Sequence, residues 1–110
     1  EYDKALVGFE ELRDRFDREG IPDLAFRVRN NIGLCLYKTG RLEEAEREFR
    51  ALLEEDPAYV KGWTNLAKVN AAMGRTGEAE RMYLRALEID PNNPRIREDL
   101  ERIRRGRGGP

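Results

Sequence analysis

The sequence contains no histidine and a single cysteine, Cys35, among its 110 residues. Histidine is the commonest general base and a frequent zinc ligand, so its absence argues against many catalytic and metal sites. One cysteine excludes a disulfide within the chain, which favours a reducing compartment and predicts a cytoplasmic location. Cys35 lies in an apolar run between Leu34 and Leu36, where we expect a buried, inert thiol. We therefore expect no enzymatic activity, no cofactor and no bound metal.

Long apolar runs and an excess of one charge are also missing. No stretch reaches the roughly 18 apolar residues that a membrane-spanning helix needs. Charged residues make up 39% of the chain, yet the formal net charge is −1. Such a balance is typical of solvated helix faces and predicts no membrane insertion. The arginines between Arg95 and Arg107 are interspersed with acids and lack stacking aromatics, so we expect no nucleic-acid binding.

Glycine and proline divide a helical apolar pattern into six predicted helices. The first places Ala5, Phe9, Leu12 and Phe16 on one stripe and ends before Gly20. Thr76 is the expected cap of the fifth helix. The predicted bounds are 2–19, 22–39, 42–55, 58–73, a fifth helix from the Thr76 cap to residue 89, and 94–105. Residues 106–110 are predicted to be a disordered tail.

The sequence also repeats itself with a period of 34 residues. Gly40-Arg41 recurs as Gly74-Arg75, and Asp56-Pro57 recurs as Asp90-Pro91. A period of this length is typical of a helical solenoid, in which each unit buries its apolar face against its neighbour. Such arrays hold other molecules and rarely carry out chemistry, so the repeat indicates a binding function.

Residues 60–93 resemble a tetratricopeptide repeat, a unit of two antiparallel helices. The positions that match the family are Trp63, Leu66, Ala67, Ala79, Tyr83, Ala86 and Pro91. Residues 26–59 resemble a second repeat through Ile32, Gly33, Leu36, Ala45, Phe49 and Pro57. The two segments depart from the family at Arg29, where a large apolar residue is usual, and at Asn70, where an aromatic is common.

This resemblance implies one all-α domain over residues 1–105, coiled into a right-handed superhelix of stacked helix pairs. Residues 1–19 are similar to the second helix of a partial repeat, and residues 94–105 to the capping helix of the family. The chain opens midway through a repeat, so we expect it to be part of a larger tetratricopeptide-repeat protein.

In this family the first helices of successive repeats line a concave groove that receives a peptide or a partner's helix. The resemblance and the helical phase imply a peptide-binding groove formed by Arg27, Asn30, Asn31, Leu34, Tyr37, Lys38, Lys61, Thr64, Asn65, Lys68, Ala72, Arg95 and Arg102. Bases outnumber acids on this face, which predicts a partner that is acidic or that ends in a carboxylate. The alternative is that these cations only solvate the groove while their stems cover apolar surface.

A narrower comparison is with the carboxylate clamp of tetratricopeptide co-chaperones, which holds the acidic tails of heat-shock chaperones. Asn31 and Lys61 fall at two of the five clamp positions. Asn65 stands where the clamp has a basic residue, so the resemblance to the clamp is partial.

A rival hypothesis is a scaffold that assembles with copies of itself. The first helix lacks the partner helix of its own repeat, so we expect its stripe of Phe9, Leu12 and Phe16 to be only half covered, and such a patch favours self-association. The alternative is that the second helix alone covers the stripe. The homo-oligomer would form through this helix or through the groove.

Overall fold

The structure, a computed structural model, describes the backbone of residues 2–107 and their side chains except those of Pro22, Asp23 and Arg107. This part of the chain forms six α-helices and no strand, which confirms the predicted all-α fold. The helices are α1 (Tyr2–Glu19), α2 (Pro22–Lys38), α3 (Leu42–Glu55), α4 (Val60–Ala72), α5 (Thr76–Ile89) and α6 (Pro94–Arg107). None of these helices is long and apolar enough to span a bilayer.

Each helix packs against the next one along the chain, and the stack extends over 50 × 28 × 20 Å. Beyond these neighbours, the backbone of α2 also approaches that of α4, whereas no comparable backbone approach joins α1 to α3 or α3 to α5 in the described residues. The first helices of the repeats therefore lie closer together than the second helices do. This difference makes the face formed by α2, α4 and α6 the concave one.

Glycines in the left-handed region end α1, α2 and α4. Gly40 and Gly74 have φ angles of 81° and 80°, a conformation that side chains with a Cβ rarely adopt. The N–H of Arg41 then donates to the carbonyl oxygen of Leu36 at 2.8 Å, and Gly40 N–H donates to Tyr37 at 3.1 Å. These two bonds form a Schellman motif, which turns the chain sharply into the next helix.

The turns between repeats contain no glycine and are held by a side chain instead. The indole Nε1 of Trp63 donates to the carbonyl oxygen of Pro57 at 2.7 Å. One period later, the guanidinium of Arg97 donates to the carbonyl oxygen of Pro91 at 2.6 Å. A tryptophan and an arginine thus stabilise equivalent turns, because each donates a hydrogen bond to the carbonyl oxygen of the proline six residues before it.

The core consists of two apolar clusters joined by Trp63 and Met82, which pack against both. In the larger cluster Phe49 is fully buried, and its ring approaches Gly33 on α2. A Cβ built on Gly33 would lie 2.6 Å from Cε1 and Cζ of this ring. The repeat therefore needs glycine at this position because the two helices come too close for any side chain.

The structure shows which side of the α1 stripe is covered, and it corrects several predicted helix caps and ends. In α1 the buried residue is Leu6, while Leu12 is 37% exposed, because α1 turns a narrower stripe toward its single neighbour α2. The cap of α5 is Arg75, and Thr76 is the first residue inside the helix, since the Schellman turn already positions the residue after Gly74.

The remaining corrections concern helix ends. Helix α4 begins at Val60 rather than Ala58, because the side chain of Asp56 accepts the N–H of Ala58 at 3.1 Å and holds it in a turn. Helix α6 continues through Gly106 to Arg107, so these two residues do not belong to the predicted disordered tail. Residues 108–110 of that predicted tail lie outside the described residues.

Candidate functional site

The concave face holds a cleft of about 560 Å³ between the amino-terminal halves of α2 and α4, here called the first cleft. The residues that line it are Arg27, Asn30, Asn31, Tyr59, Val60 and Lys61. Two of them are cations and none is an acid. The first cleft therefore presents a positive potential beside amide donors and one apolar wall.

A second cleft of about 120 Å³ lies between α4 and α6. Its lining consists of Val60, Lys61, Thr64, Lys68, Asn93, Arg95, Ile96 and Asp99. Val60 and Lys61 line both clefts, so the two form one continuous surface, here called the groove. The second cleft is the first one repeated, because Arg27, Asn30, Tyr59 and Lys61 are followed 34 residues later by Lys61, Thr64, Asn93 and Arg95.

The groove carries four cations that have no ion pair within the described chain: Arg27, Lys61, Lys68 and Arg95. Most other arginines of the chain are engaged, as Arg29 is with Glu55 at 2.7 Å. Unpaired cations around a concave surface attract anions and leave their hydrogen-bond donors free to meet them.

Aromatic packing fixes one wall of the first cleft. The ring of Phe26 meets that of Tyr59 edge to face, with centroids 4.8 Å apart. Burial raises the pKa of the Tyr59 phenol, and the positive charge of Arg27 opposes that rise. Tyr59 therefore stays neutral at physiological pH and offers the groove a rigid surface that combines an apolar ring with a hydroxyl.

Two predicted contact residues lie beneath the groove surface. Asn65 Nδ2 donates to Asn30 Oδ1 at 3.0 Å, and the two residues are only 7% and 8% exposed. Asn65 was predicted to contact the ligand, but in the structure its side chain is buried and its amide is bonded to Asn30, which joins α4 to α2. We assign this pair a positioning role, since it sets the spacing of the helices that carry Arg27 and Lys61.

Five other predicted groove residues line neither cleft. Leu34 and Tyr37 are partly buried against the larger core cluster, and Lys38 lies 5.7 Å from the centroid of the Tyr37 ring. Ala72 is exposed at the last position of α4. Arg102 donates to Asp99 at 2.9 Å. The structure thus concentrates the candidate site on Arg27, Asn31, Lys61, Thr64, Lys68 and Arg95, with Asn30 at its floor.

Sequence reasoning missed four lining residues: Tyr59, Val60, Asn93 and Ile96. The 34-residue period could have indicated Tyr59 and Asn93, because each of them is the last residue of its repeat. Asn93 Oδ1 accepts the N–H groups of Arg95 at 3.0 Å and Ile96 at 3.3 Å. This cap orients the start of α6 and places Arg95 at the rim of the second cleft.

Asp99 is the acid that lines the second cleft, and it is only 8% exposed. Burial raises the pKa of the nearby Tyr83 phenol to about 12, and the negative charge of Asp99 adds to the rise. The second cleft therefore mixes one acid with three cations, whereas the first cleft is purely basic.

The described residues contain no cluster of three or more side chains able to hold a metal ion. Cys35 is buried, as predicted, and burial raises the pKa of its thiol. A thiol of raised pKa is a poor nucleophile at neutral pH.

Two family models described as tetratricopeptide repeat match this chain, one over residues 1–60 and the other over residues 36–102. The Hsp70-Hsp90 organizing protein of Triticum aestivum is 30% identical over 76 residues, which are 69% of this chain and 13% of that protein. The human protein O-mannosyl-transferase TMTC2 is 28% identical over 90 residues, which are 82% of this chain and 10% of that protein. The chain thus spans about a tenth of the length of these relatives.

Solved structures share the fold at low sequence identity. The first TPR of Spaghetti (RPAP3), bound to the HSP90 peptide SRMEEVD, superimposes with a TM-score of 0.71 at 18% identity, over 94% of this chain and 96% of that one. The second TPR domain of human RPAP3, in complex with the HSP70 peptide SGPTIEEVD, gives 0.69 at 18% identity, over 96% and 99%. Six stacked helices, a 34-residue period and two matching family models agree. The chain therefore belongs to the tetratricopeptide-repeat family and is a protein-interaction module.

Proposed function

We propose that the groove binds an extended acidic segment of a partner protein and holds one carboxylate of that segment in the first cleft. The observation that carries the proposal is the lining of this cleft, where Arg27 and Lys61 have no ion pair in the described chain and no acid is present. A carboxylate between them would form charge-assisted hydrogen bonds, which are shorter and stronger than neutral ones.

The neighbouring groups favour an acid that sits beside an apolar side chain. Asn31 lies partly buried in the first cleft and supplies an amide, while Tyr59 and Val60 supply apolar surface. The bond between Asn30 and Asn65 holds α2 and α4 at a fixed distance before any ligand arrives. A site that is already ordered loses less conformational entropy on binding, and this favours affinity.

The structural neighbours support the same class of ligand. The peptides named with the two RPAP3 domains both end in Glu-Glu-Val-Asp, so both carry several carboxylates at the carboxyl end. Asn65, however, occupies a position where the carboxylate clamp has a base, and it is bonded to Asn30. We therefore propose an acidic segment gripped mainly by Arg27, Lys61 and Lys68, rather than the complete clamp.

The proposal is tested with the peptide SRMEEVD as a fluorescent probe, beside the same peptide with its acids replaced by amides and its carboxyl end amidated. The double variant Lys61→Glu with Lys68→Glu should weaken binding of the acidic probe by about tenfold or more, a loss of roughly 1.4 kcal/mol or more. The matched control is Lys4→Glu with Arg18→Glu, which changes the net charge equally on α1. This control should bind like the unaltered chain.

Equal binding of the acidic and amide peptides would show that charge does not recognise the ligand. Equal loss in the two double variants would show that only net charge matters and that the groove is not the site. The proposal assigns the chain no catalytic role and no cofactor. A cytoplasmic location stays a prediction from the single cysteine.

A further inference from the structure

The charges of this chain are divided between its two sets of helices. The helices of the concave face, α2, α4 and α6, carry net charges of +2, +2 and +3. The helices of the opposite, convex face, α1, α3 and α5, carry −2, −4 and −1. By sequence, the helices of the concave face thus carry net positive charge and those of the convex face net negative charge, in a chain whose formal net charge is −1.

The convex face has clefts of its own. One of about 370 Å³ lies between α1 and α3, with Leu6, Ile32 and Leu36 at its floor and Glu10 and Glu44 in its wall. A smaller cleft of about 240 Å³ lies beside α3 and α4 and includes Trp63, Leu66 and Glu54.

Unpaired acids lie in these convex clefts. Glu10, Glu44 and Glu54 have no ion pair with any described residue, whereas Glu48 beside them pairs with Arg13 at 3.8 Å. Of the two bases in the larger cleft, Arg41 is bonded to Asp3 at 3.2 Å, and Arg47 has no ion pair with a described residue. The convex clefts therefore hold three acids and one base without an ion pair in the described chain, and four cations remain available in the groove.

We infer that the convex face is a second interaction surface and that its partner is the concave face of another copy of this chain. In this contact the unpaired cations Lys61 and Lys68 of one copy would face Glu44 and Glu54 of the next. Because the two surfaces differ, the contact is heterologous and each copy keeps one free face, so the product is an open stack.

Size and overall charge are consistent with such a stack. The broad face of the molecule measures about 50 × 28 Å. A face of these dimensions has room for the roughly 800 Å² per partner that a standard protein interface buries. A net charge close to zero gives little overall repulsion between copies, while the separated charges attract at short range.

The stack should depend on salt. At about 20 mM salt, where electrostatic interactions extend over roughly 20 Å, the weight-average mass should rise with protein concentration to about twice the monomer mass or more. At about 0.5 M salt it should return to the monomer mass of 12.8 kDa. Sedimentation velocity over a range of concentrations measures both values.

A pair of charge-reversed variants identifies the faces. The concave variant Lys61→Glu with Lys68→Glu and the convex variant Glu44→Lys with Glu54→Lys should each remain monomeric at low salt. Mixed in equal amounts they should assemble again, because each then meets a partner whose face has the opposite charge. Circular dichroism of each variant confirms that it keeps its helices.

Three results would overturn the inference. The first is an unaltered chain that stays monomeric at low salt. The second is a failure of the two variants to assemble when they are mixed. The third is a loss of assembly in Leu12→Lys on α1 while both charge-reversed variants still assemble. The last result would assign the contact to the apolar side of α1. Peptide binding is measured apart from assembly, because Glu44→Lys with Glu54→Lys should leave the affinity of dilute protein for SRMEEVD unchanged.

Discussion

The amide of Asn65 on α4 donates to the amide oxygen of Asn30 on α2 across 3.0 Å, in a buried position beneath the groove. This bond joins the first helices of two successive repeats. It lies at the floor of the cleft that Arg27 and Lys61 both line. The spacing of the helices that carry the two cations thus depends on this contact.

Removal of one partner of this bond should destabilise the fold. Asn65→Ala leaves the Oδ1 of Asn30 buried without a donor, which should lower the free energy of unfolding by about 1–3 kcal/mol. Urea denaturation measures the loss. The control Thr64→Ala removes an exposed bond to the carbonyl of Lys61 and should change stability by no more than about 0.5 kcal/mol. If Asn30→Ala and Asn65→Ala act additively in the double variant, the two amides are not coupled.

Substitution of Gly33 should lower the stability of the fold. A Cβ there would lie 2.6 Å from Cε1 and Cζ of Phe49, which is fully buried. Gly33→Ala should therefore lower the free energy of unfolding by about 1–3 kcal/mol, despite the better helix propensity of alanine.

Gly8→Ala is the matched control for this substitution. Gly8 also lies inside a helix, but nothing lies within 4 Å of its added Cβ. This variant should gain about 0.5–1 kcal/mol from helix propensity alone. Thermal unfolding of the two variants gives opposite shifts if packing at Gly33 is the cause, and shifts of the same sign would refute that explanation.

Asn70 is a buried polar residue whose replacement should raise the stability of the fold. Its side chain is completely buried, and Oδ1 has no hydrogen-bond partner while Nδ2 donates to the carbonyl of Leu66 at 2.9 Å. Asn70→Leu removes an unpaired buried oxygen and keeps the branching and the number of heavy atoms of the side chain. We expect a gain of about 1 kcal/mol or more, seen as a melting temperature raised by roughly 4–8 °C. An unchanged or lower melting temperature would mean that the amide is satisfied in solution.

The parts of this fold that follow from local rules were accessible from the sequence. Gly40 and Gly74 mark helix ends because their φ angles exclude most other residues, and Pro57 and Pro91 mark the turns between repeats. The groove was predicted less completely. Helical phase places Asn65 on the concave face, but only the distance to α2 decides that its amide meets Asn30 rather than a ligand.

The same reason explains why the sequence left open how far α2 covers the stripe of α1. A helix with a single neighbour buries a narrow stripe, and the approach angle of that neighbour buries Leu6 and leaves Leu12 exposed. Such an angle depends on the packing of whole helices and is not contained in the periodicity of one segment.

The buried phenol of Tyr83 should make the fold sensitive to alkali. Its pKa is raised to about 12, first by burial and then by the charge of Asp99, whereas the unfolded chain releases this proton near pH 10. A raised pKa of an acidic group adds stability that is complete below the unfolded pKa and is lost as pH rises through the folded pKa. Unfolding free energy should fall between about pH 10 and 12, by roughly 2–3 kcal/mol in total.

Tyr83→Phe supplies the control for this titration, because it lacks the ionisable group. Urea denaturation of both proteins at pH 8 and at pH 11 gives the difference that belongs to Tyr83, while other titrating groups contribute equally to both. If the two proteins lose the same stability over this range, the Tyr83 phenol is not responsible.

Asp99 should restrict which acidic segments the groove accepts. It lines the second cleft beside Lys61, Lys68 and Arg95, and it engages Arg102 at 2.9 Å. A peptide whose acids reach the second cleft meets this negative charge. Asp99→Asn removes the charge and leaves Arg102 without its ion pair, so binding of the peptide SRMEEVD should become about three- to tenfold tighter.

Glu98→Gln is the matched control, because Glu98 is the neighbouring acid on α6 and does not line the cleft. It makes the same change in net charge and should alter the affinity by less than about twofold. Titrations of both variants by fluorescence anisotropy compare a local effect with a general one. Equal tightening in the two would show that the groove responds only to net charge, and weaker binding in Asp99→Asn would show that Asp99 mainly holds Arg102 in place for the ligand.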